Sequence, residues 1–580
     1  MRARLAAALV LAGTAALLIL IVILITGGFV FDAGPLHVSA RRPVAPLLIA
    51  ATALLAAALH GRTAFTAAAE SLLHTLDRHA SAVAIVLAAA AAGTGIGYGT
   101  YSAAGADAAG YVSQSALIAS GRIARDEPLV RQAGWPDAAW TFAPLGYRPG
   151  IRAGEIVPTY PSGLPLAMAA GRLVAGDTGV FLAVPLLGAL AVLCTYGLGV
   201  RFHSRLAGLI AASLLATSPI FLFQIVQPMS DVPALAWWAL ATLLALSPLR
   251  HAALAAGATA GLALLTRPNL LLLAVALAFL TRRRALTFAA GMAPALGVML
   301  MLQWRLYGSP FASGYGSFQE LFALSNIPVS LRAYAMRLLT GETAALTLAA
   351  AALAATLLAR RRTRDAAPVR PAALVALLAG IAVLASYLPY FTFAEWWYLR
   401  FLLPAFPLAF VLVGALLVNA SAALPPWTRG IVIAVILVTV GAANVTVARR
   451  EQAFNLWRYE SRYRTAGEYL RNALPATATV FTVQHSSSVL HYANLPIVRW
   501  DLLTVDPEAA ATRLRALGRH PMFLVEDSEM AVLRNRFPDS PAARLDWAPR
   551  ADIGTETRVR LFDLADRGTA TPPHPADRLP

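Results

Sequence analysis

Long apolar runs, each bounded by arginine, proline or a short polar turn, recur along most of the chain. They fall at about 5–26, 44–60, 81–97, 179–200, 206–225, 232–247, 252–265, 268–281, 285–304, 343–359, 371–391, 400–418 and 430–447. A helix needs about 20 apolar residues to cross a bilayer, fewer when it is buried among other helices. The pattern therefore predicts about thirteen spans. The seventh and eighth are short and meet at Arg267-Pro268, where proline forbids a continuous helix. They read either as two spans or as one hairpin that stops short of the far side. A further run, 164–175, reads as interfacial or re-entrant.

Two stretches break this pattern. The segment from about 98 to 163 mixes Asp107, Arg122, Asp126 and Glu127 with Trp135, Trp140, Tyr147 and Tyr160. So long a connection in a compact protein is usually functional. From about 448 onward the spacing predicts an amphipathic helix over Tyr459–Leu474, strands over Ala478–Val483 and Met522–Val525, and a helical stretch near Pro507–Leu517 between them. That is a small α/β domain. Pro572, Pro573, Pro575 and Pro580 predict a frayed end. The expected fold class is mainly α: a polytopic membrane helical bundle over 1–447, then an α/β C-terminal domain over 448–580.

Composition supports the membrane reading. Of 580 residues, 58% are hydrophobic and 13% charged, with mean hydropathy +0.63, whereas soluble domains run near ~25% charged. A soluble chain this apolar has too little polar surface to cover itself. The net charge of +17 is carried by arginine alone, without lysine. The arginines punctuate apolar runs and form no single basic stripe, so the excess reflects membrane topology and no nucleic acid partner is expected. The first run follows Arg2 and Arg4, exceeds a signal-peptide core in length and lacks a small-residue cleavage site. It reads as a retained signal anchor with the N-terminus in the cytoplasm. In that orientation sixteen arginines lie in cytoplasmic segments and seven in short outer ones, as the positive-inside rule requires. An odd number of spans then puts the C-terminal domain outside, as in a multi-pass protein of the bacterial cell membrane. Cys194 is the only cysteine, which excludes intramolecular disulfides and multi-cysteine metal sites. His485 and His491 lack a third ligand, so the sequence supports no metal site and no cofactor.

The informative residues are the polar ones that interrupt the outer ends of spans. Asp107 follows the third span, and Tyr111 lies one helical turn further on. Asp231 stands in Gln227-Pro228-Met229-Ser230-Asp231-Val232-Pro233. Both carboxylates sit where a lipid head group and a water-borne hydroxyl can meet, and both also suit a plain helix cap. Arg267 lies at the tip of the short hairpin, and Arg400 closes Glu395-Trp396-Trp397-Tyr398-Leu399-Arg400. Each arginine alone reads as a snorkelling side chain; two on one face of a carboxylate-bearing bundle make a phosphate site. The Trp-Trp-Tyr run doubles as an interfacial belt. The loop Tyr307–Gly316, with Tyr315, either covers a ligand or merely turns.

The order of these motifs resembles the GT-C glycosyltransferases of the protein O-mannosyltransferase and aminoarabinose-transferase type. It runs Asp-x-x-x-Tyr (Asp107, Tyr111), Tyr-Pro-x-Gly-x-Pro (Tyr160 to Pro165), Met-Ser-Asp-x-Pro (Met229 to Pro233), Thr-Arg-Pro (Thr266 to Pro268), Tyr-Gly-x-Pro-x-x-Ser-Gly-Tyr (Tyr307 to Tyr315) and Arg-Phe-Leu-Leu-Pro-x-x-Pro (Arg400 to Pro407). The resemblance spans about residues 80–410. It implies a polyprenyl-phosphate-linked sugar donor, a glycan, lipid or protein acceptor, and transfer with inversion on the outer face of the membrane. It further implies catalytic roles for Asp107 and Asp231, donor-phosphate binding by Arg267 and Arg400, and substrate contacts from Tyr111, Tyr160, Tyr315 and Glu395. Several relatives carry a glutamate after the first-loop aspartate, where this chain has Ala108; that argues against a two-carboxylate or divalent-metal site. The rival classes are a transporter or flippase of lipid-linked sugars and a non-catalytic lipid-binding assembly protein. Transporters tend to show paired repeats and mid-membrane charges, and neither is evident here.

Overall fold

The computed structural model describes residues 44–60, 62–316, 322–342, 369–391, 393–568 and 577–579, with Ala349 and scattered positions between 5 and 40. The predicted run 343–359 and much of 5–26 lie outside the described residues. Every other predicted run is helical. By length and composition five helices among the described residues are long and apolar enough to cross a membrane, or six if a bent pair is one span. Several of the other runs are shorter apolar helices, such as Asp231–Ala245, Ala252–Thr266 and Pro268–Leu280. Fifteen residues rise about 22 Å, less than a ~30 Å hydrocarbon core.

Two predicted boundaries change. The run 164–175 is the first part of a long helical segment, Gly163–Phe202, interrupted by non-helical backbone at Ala175 and Gly176. The run 206–225 is bent by 61° between Arg205–Thr217 and Pro219–Ile225. The break at Ser218-Pro219 frees backbone donors inside the bundle. Buried Glu342 accepts from the Ile220 amide at 3.1 Å and from the Ser218 hydroxyl at 2.6 Å, and that hydroxyl accepts from the Phe221 amide. The bundle core gathers Ile210, Leu215, Leu235, Trp238 and Phe410. Leu47, Leu55, Ile85, Val86, Val275 and Phe279 remain exposed on the outer helices, as expected for a surface bathed in lipid rather than water.

Strands appear in three places. A hairpin pairs β1 (Phe29–Ala33) with β2 (Leu36–Ala40), which the apolar pattern does not announce. The first loop folds into the helix Asp107–Ala119 and a three-stranded antiparallel sheet of β3 (Arg125–Asp126), β4 (Tyr147–Pro149) and β5 (Glu155–Pro158), in the order β3-β5-β4. The tail holds a mixed sheet ordered β11-β9-β10-β8-β6-β7. The two expected strands are β6 (Ala478–Phe481) and β8 (His520–Glu526), paired in parallel. β7 (Ile497–Val498), β9 (Ala551–Ile553) and β10 (Val559–Asp563) complete it. The end is not wholly frayed: β11 (Asp577–Leu579) pairs in parallel with β9.

Loop and tail are built together. Trp135 and Phe142 of the loop share one core with Phe481, Trp500 and Phe523 of the tail. Three backbone groups of the loop and the residues just before it also bond the tail: the Ala103 amide to the Tyr492 hydroxyl at 2.8 Å, the Leu145 amide to the Ser486 hydroxyl at 3.0 Å, and the Thr141 carbonyl to the Arg499 amide at 2.7 Å. Both bodies therefore lie on one face of the bundle.

Candidate functional site

Asp107 opens the helix Asp107–Ala119, and Gly105, at φ +56°, turns the chain into it. It is a first-turn carboxylate that suits the helix dipole, and it stands one residue past the N-cap, Ala106. Its two oxygens point elsewhere. Oδ1 accepts from the Tyr160 hydroxyl at 2.6 Å and Oδ2 from Arg400 Nη2 at 3.1 Å. Tyr160 reaches this position because Gly110 leaves its ring room: a Cβ there would lie 2.4 Å from two ring carbons.

Asp231 likewise opens the helix Asp231–Ala245 without capping it. Its Oδ1 accepts from Arg267 Nη2 at 2.7 Å and lies 3.8 Å from Arg400 Nε. Ser230, the N-cap residue of this helix, makes no side-chain cap bond. Its hydroxyl instead accepts from Tyr111 at 2.9 Å and from Arg267 Nε at 3.1 Å. Arg267 Nη1 donates to the Tyr387 hydroxyl at 2.7 Å. The extended backbone of Arg267, φ −145° and ψ 88°, ends the helix Ala252–Thr266 and carries the side chain inward. Arg400 sits in a 3-10 segment, Trp396–Ala405, and its guanidinium lies over the rings of Tyr398 and Phe401 at 5.1 and 5.3 Å.

The result is a continuous chain of charge, Asp107–Arg400–Asp231–Arg267, bordered by phenols. The two ends differ. The Asp231 side chain is fully buried, whereas that of Asp107 is 35% exposed. Arg267 spends all three nitrogens on Ser230, Tyr387 and Asp231. Arg400 Nε is buried without a hydrogen-bond partner among the described residues. Burial, with the Asp107 carboxylate beside them, raises the Tyr160 and Tyr111 phenols above their ordinary range, so both stay proton donors. Tyr315 packs edge-on against Tyr160 at 5.8 Å. Its loop is tied down by Tyr307, which donates to the Pro158 carbonyl at 2.7 Å.

Of the residues singled out from the sequence, Asp107, Asp231, Arg267, Arg400, Tyr111, Tyr160 and Tyr315 are brought together. Glu395 is placed apart: it is exposed at the start of the 3-10 segment, within electrostatic reach of Arg337 and Tyr398. Ser230 and Tyr387 join the network without having been assigned roles in it. Ser230 was legible as the polar neighbour of Asp231. Tyr387 sits near the end of an apolar run, where a tyrosine reads as an interfacial anchor. Among the described residues no group of three metal-ligating side chains converges. His485 Nε2 lies 3.1 Å from Glu526, and His491 packs edge-on against Tyr492.

No family model matches the chain, and no curated protein matches it. Its fold is similar to that of ArnT from Cupriavidus metallidurans bound to undecaprenyl phosphate, at 14% identity and a TM-score of 0.52, covering 84% of this chain and 99% of that one. The apo state of the same protein aligns at 14% identity and a TM-score of 0.50, over 83% and 96% of the two chains. The likeness is one of fold, and it extends over more than four-fifths of this chain.

Proposed function

We propose that this chain is a membrane glycosyltransferase that moves a sugar from a polyprenyl-phosphate donor to an acceptor hydroxyl. The observation that carries the reading is the pairing of a partly exposed carboxylate, Asp107, with a buried arginine, Arg400, whose Nε faces Asp231 at 3.8 Å but makes no hydrogen bond among the described residues. Such a pair offers a proton acceptor beside an anion site. The resemblance in fold to a protein crystallised with undecaprenyl phosphate supports the donor class.

In this mechanism Asp107 takes the proton from the acceptor hydroxyl as its oxygen attacks the anomeric carbon. The carbon–oxygen bond to phosphate breaks, the configuration inverts, and polyprenyl phosphate leaves with the bonding electron pair. Phosphate leaves without a general acid when its growing charge is met by a fixed cation, and Arg400 supplies that cation. Asp231 and Arg267 hold Arg400 in place through a buried ion pair. Tyr160 orients the base, and Tyr111 and Tyr315 line its approach; Glu395, being apart, contacts substrate only if the acceptor is large. We place this chemistry on the external face of a bacterial cell membrane, with about thirteen spans over 1–447 and an external domain over 448–580.

The test is release of polyprenyl phosphate by the purified full chain in lipid, with a panel of polyprenyl-phosphate sugars and NMR of the product anomer. Transfer with inversion from at least one donor is expected. Binding of donors without any transfer, in the presence of cell-envelope glycan, lipid and protein acceptors, would leave a lipid-binding assembly protein as the better account.

A further inference from the structure

Beside the ion-pair network lies a cavity of 520 Å³, lined by Phe223, Gln224, Trp396, Trp397, Arg400 and Glu460 among others. It joins three regions distant in sequence: the helix Pro219–Ile225, the 3-10 segment Trp396–Ala405 and the tail helix Leu456–Ala473. One wall is aromatic. Phe223 meets Trp396 edge-on at 5.1 Å and lies parallel to Trp397 at 5.9 Å. Another wall is a polar side chain with nothing to bond: Gln224 is 1% exposed, yet neither its Oε1 nor its Nε2 has a hydrogen-bond partner among the described residues.

A buried amide left unbonded is destabilising, and a core position this apolar would otherwise be filled by leucine. The cost is offset when a ligand supplies a donor and an acceptor together, which a sugar hydroxyl does. Indole faces suit the apolar C–H face of a pyranose, while amide and carboxylate groups suit its rim. The volume lies within the range of small-ligand sites. Burial pushes the Glu460 carboxyl up to about 7, so near neutrality its protonated and ionised forms can donate to or accept from hydroxyls. We propose that this cavity is a glycosyl subsite in which the Gln224 amide and the Trp396–Trp397 wall hold an uncharged pyranose next to Arg400.

This inference rests on the transfer reading for its biology but not for its chemistry, and the two fail separately. The probe is a panel of methyl pyranosides, with binding to the full chain in lipid nanodiscs measured by saturation-transfer NMR. At least one should bind, and Gln224→Leu should weaken it about tenfold, the loss expected when one net hydrogen bond is removed. Because Gln224→Leu replaces an unbonded amide with an apolar group of similar shape, its thermal midpoint should not fall. Glu460→Gln is the second variant and should weaken the same pyranoside while leaving the fold intact. Displacement by intact polyprenyl-phosphate sugar, but not by polyprenyl phosphate alone, identifies the donor's sugar. Displacement by neither, with the pyranoside itself becoming glycosylated, identifies the acceptor's. Equal binding in wild type and Gln224→Leu, or no pyranoside binding to wild type at tens of millimolar, overturns the proposal. If turnover depends on Asp107 yet is unchanged in Gln224→Leu, the transfer reading stands and the subsite falls. If pyranosides bind through Gln224 but no donor is turned over, the subsite stands and the transfer reading falls.

Discussion

Replacing Asp107 with asparagine removes a proton acceptor while keeping the shape of the side chain. The geometry sets what else is lost. The carboxylate accepts at both oxygens, from Tyr160 at 2.6 Å and from Arg400 at 3.1 Å. The asparagine carbonyl can keep Arg400, leaving the amide NH2 to face a hydroxyl that can rotate to accept. Arg400 also retains Asp231, 3.8 Å from its Nε. The side chain at 107 is about a third exposed, so the stability cost should stay near ~1 kcal/mol. The effect on turnover should be far larger. Loss of a general base costs ~10²–10⁴ in rate, or ~3–5 kcal/mol of barrier. Donor binding should be unchanged or tighter, because Arg400 no longer shares its charge with a second carboxylate. The assay is turnover and donor affinity measured side by side for wild type, Asp107→Asn and Asp231→Asn. Wild-type turnover in Asp107→Asn, with Asp231→Asn dead, would move the base to Asp231. A parallel fall in turnover and donor affinity in Asp107→Asn would show that the carboxylate positions the donor instead.

The two arginines should separate in the same assays. Arg400→Ala should weaken donor binding at least about tenfold, as expected for a lost charge-assisted phosphate contact, whereas Arg267→Ala should mainly lower the thermal midpoint. Arg267 bonds three protein groups and leaves Asp231 short of its nearest cation when removed; equal donor-affinity losses in the two variants would contradict this division. Tyr492→Phe should reduce kcat about tenfold with little change in KM or thermal midpoint, because its hydroxyl fixes the Ala103 amide four residues before Asp107, and an unchanged kcat would show that the tail does not position the base. Burial, aided by Arg172, depresses His491 to about 4, so the folded chain keeps it neutral. Its stabilising share is full above the unfolded value of about 6.5, is lost as pH falls through about 4, and reaches ~1–3 kcal/mol. Thermal midpoints of His491→Asn should thus fall less between pH 7 and pH 4 than those of wild type, and equal slopes would refute the argument. An alkaline-phosphatase fusion after Pro580 should be active, and an inactive fusion beside a fluorescent cytoplasmic-type reporter at the same point would reverse the orientation.

The helices were legible because apolar runs of this length have few alternatives in a chain with so little charge. The bends were not. Ser218-Pro219 lies inside one apolar run, and the break there is tolerated because Glu342, more than a hundred residues away, accepts the Ile220 amide and holds the Ser218 hydroxyl that caps Phe221. Periodicity is a local signal, whereas the compensation is tertiary. The tail shows the same limit. Strands β6 and β8 are buried at nearly every position and centre on the apolar residues Val480-Phe481 and Met522–Val525, and they declare themselves. β7 has two residues and β9 three, too few for any alternation to register, and β11 is a strand only because β9 offers it an edge.

The site followed a different logic. Asp107, Asp231, Arg267 and Arg400 stood out because a charge at the end of an apolar helix needs a reason, and local reasons were available for each: a cap for the aspartates, snorkelling for the arginines. The structure removes the capping explanation, since each aspartate stands one residue past the N-cap and its carboxylate is bonded to tyrosine or arginine side chains. The arginines, at 12% and 10% side-chain exposure, do not snorkel either. Four residues that each break the local rule do so toward one another, and that convergence across 293 positions of sequence from Asp107 to Arg400 is what no window of the sequence contains. It also explains the asymmetry between the pairs. A buried ion pair such as Asp231–Arg267 is weak evidence for stability, because desolvation opposes its attraction, but it holds Arg400 with a partner that solvent cannot reach. The exposed pair, Asp107–Arg400, is then the one in which a substrate can compete for either member.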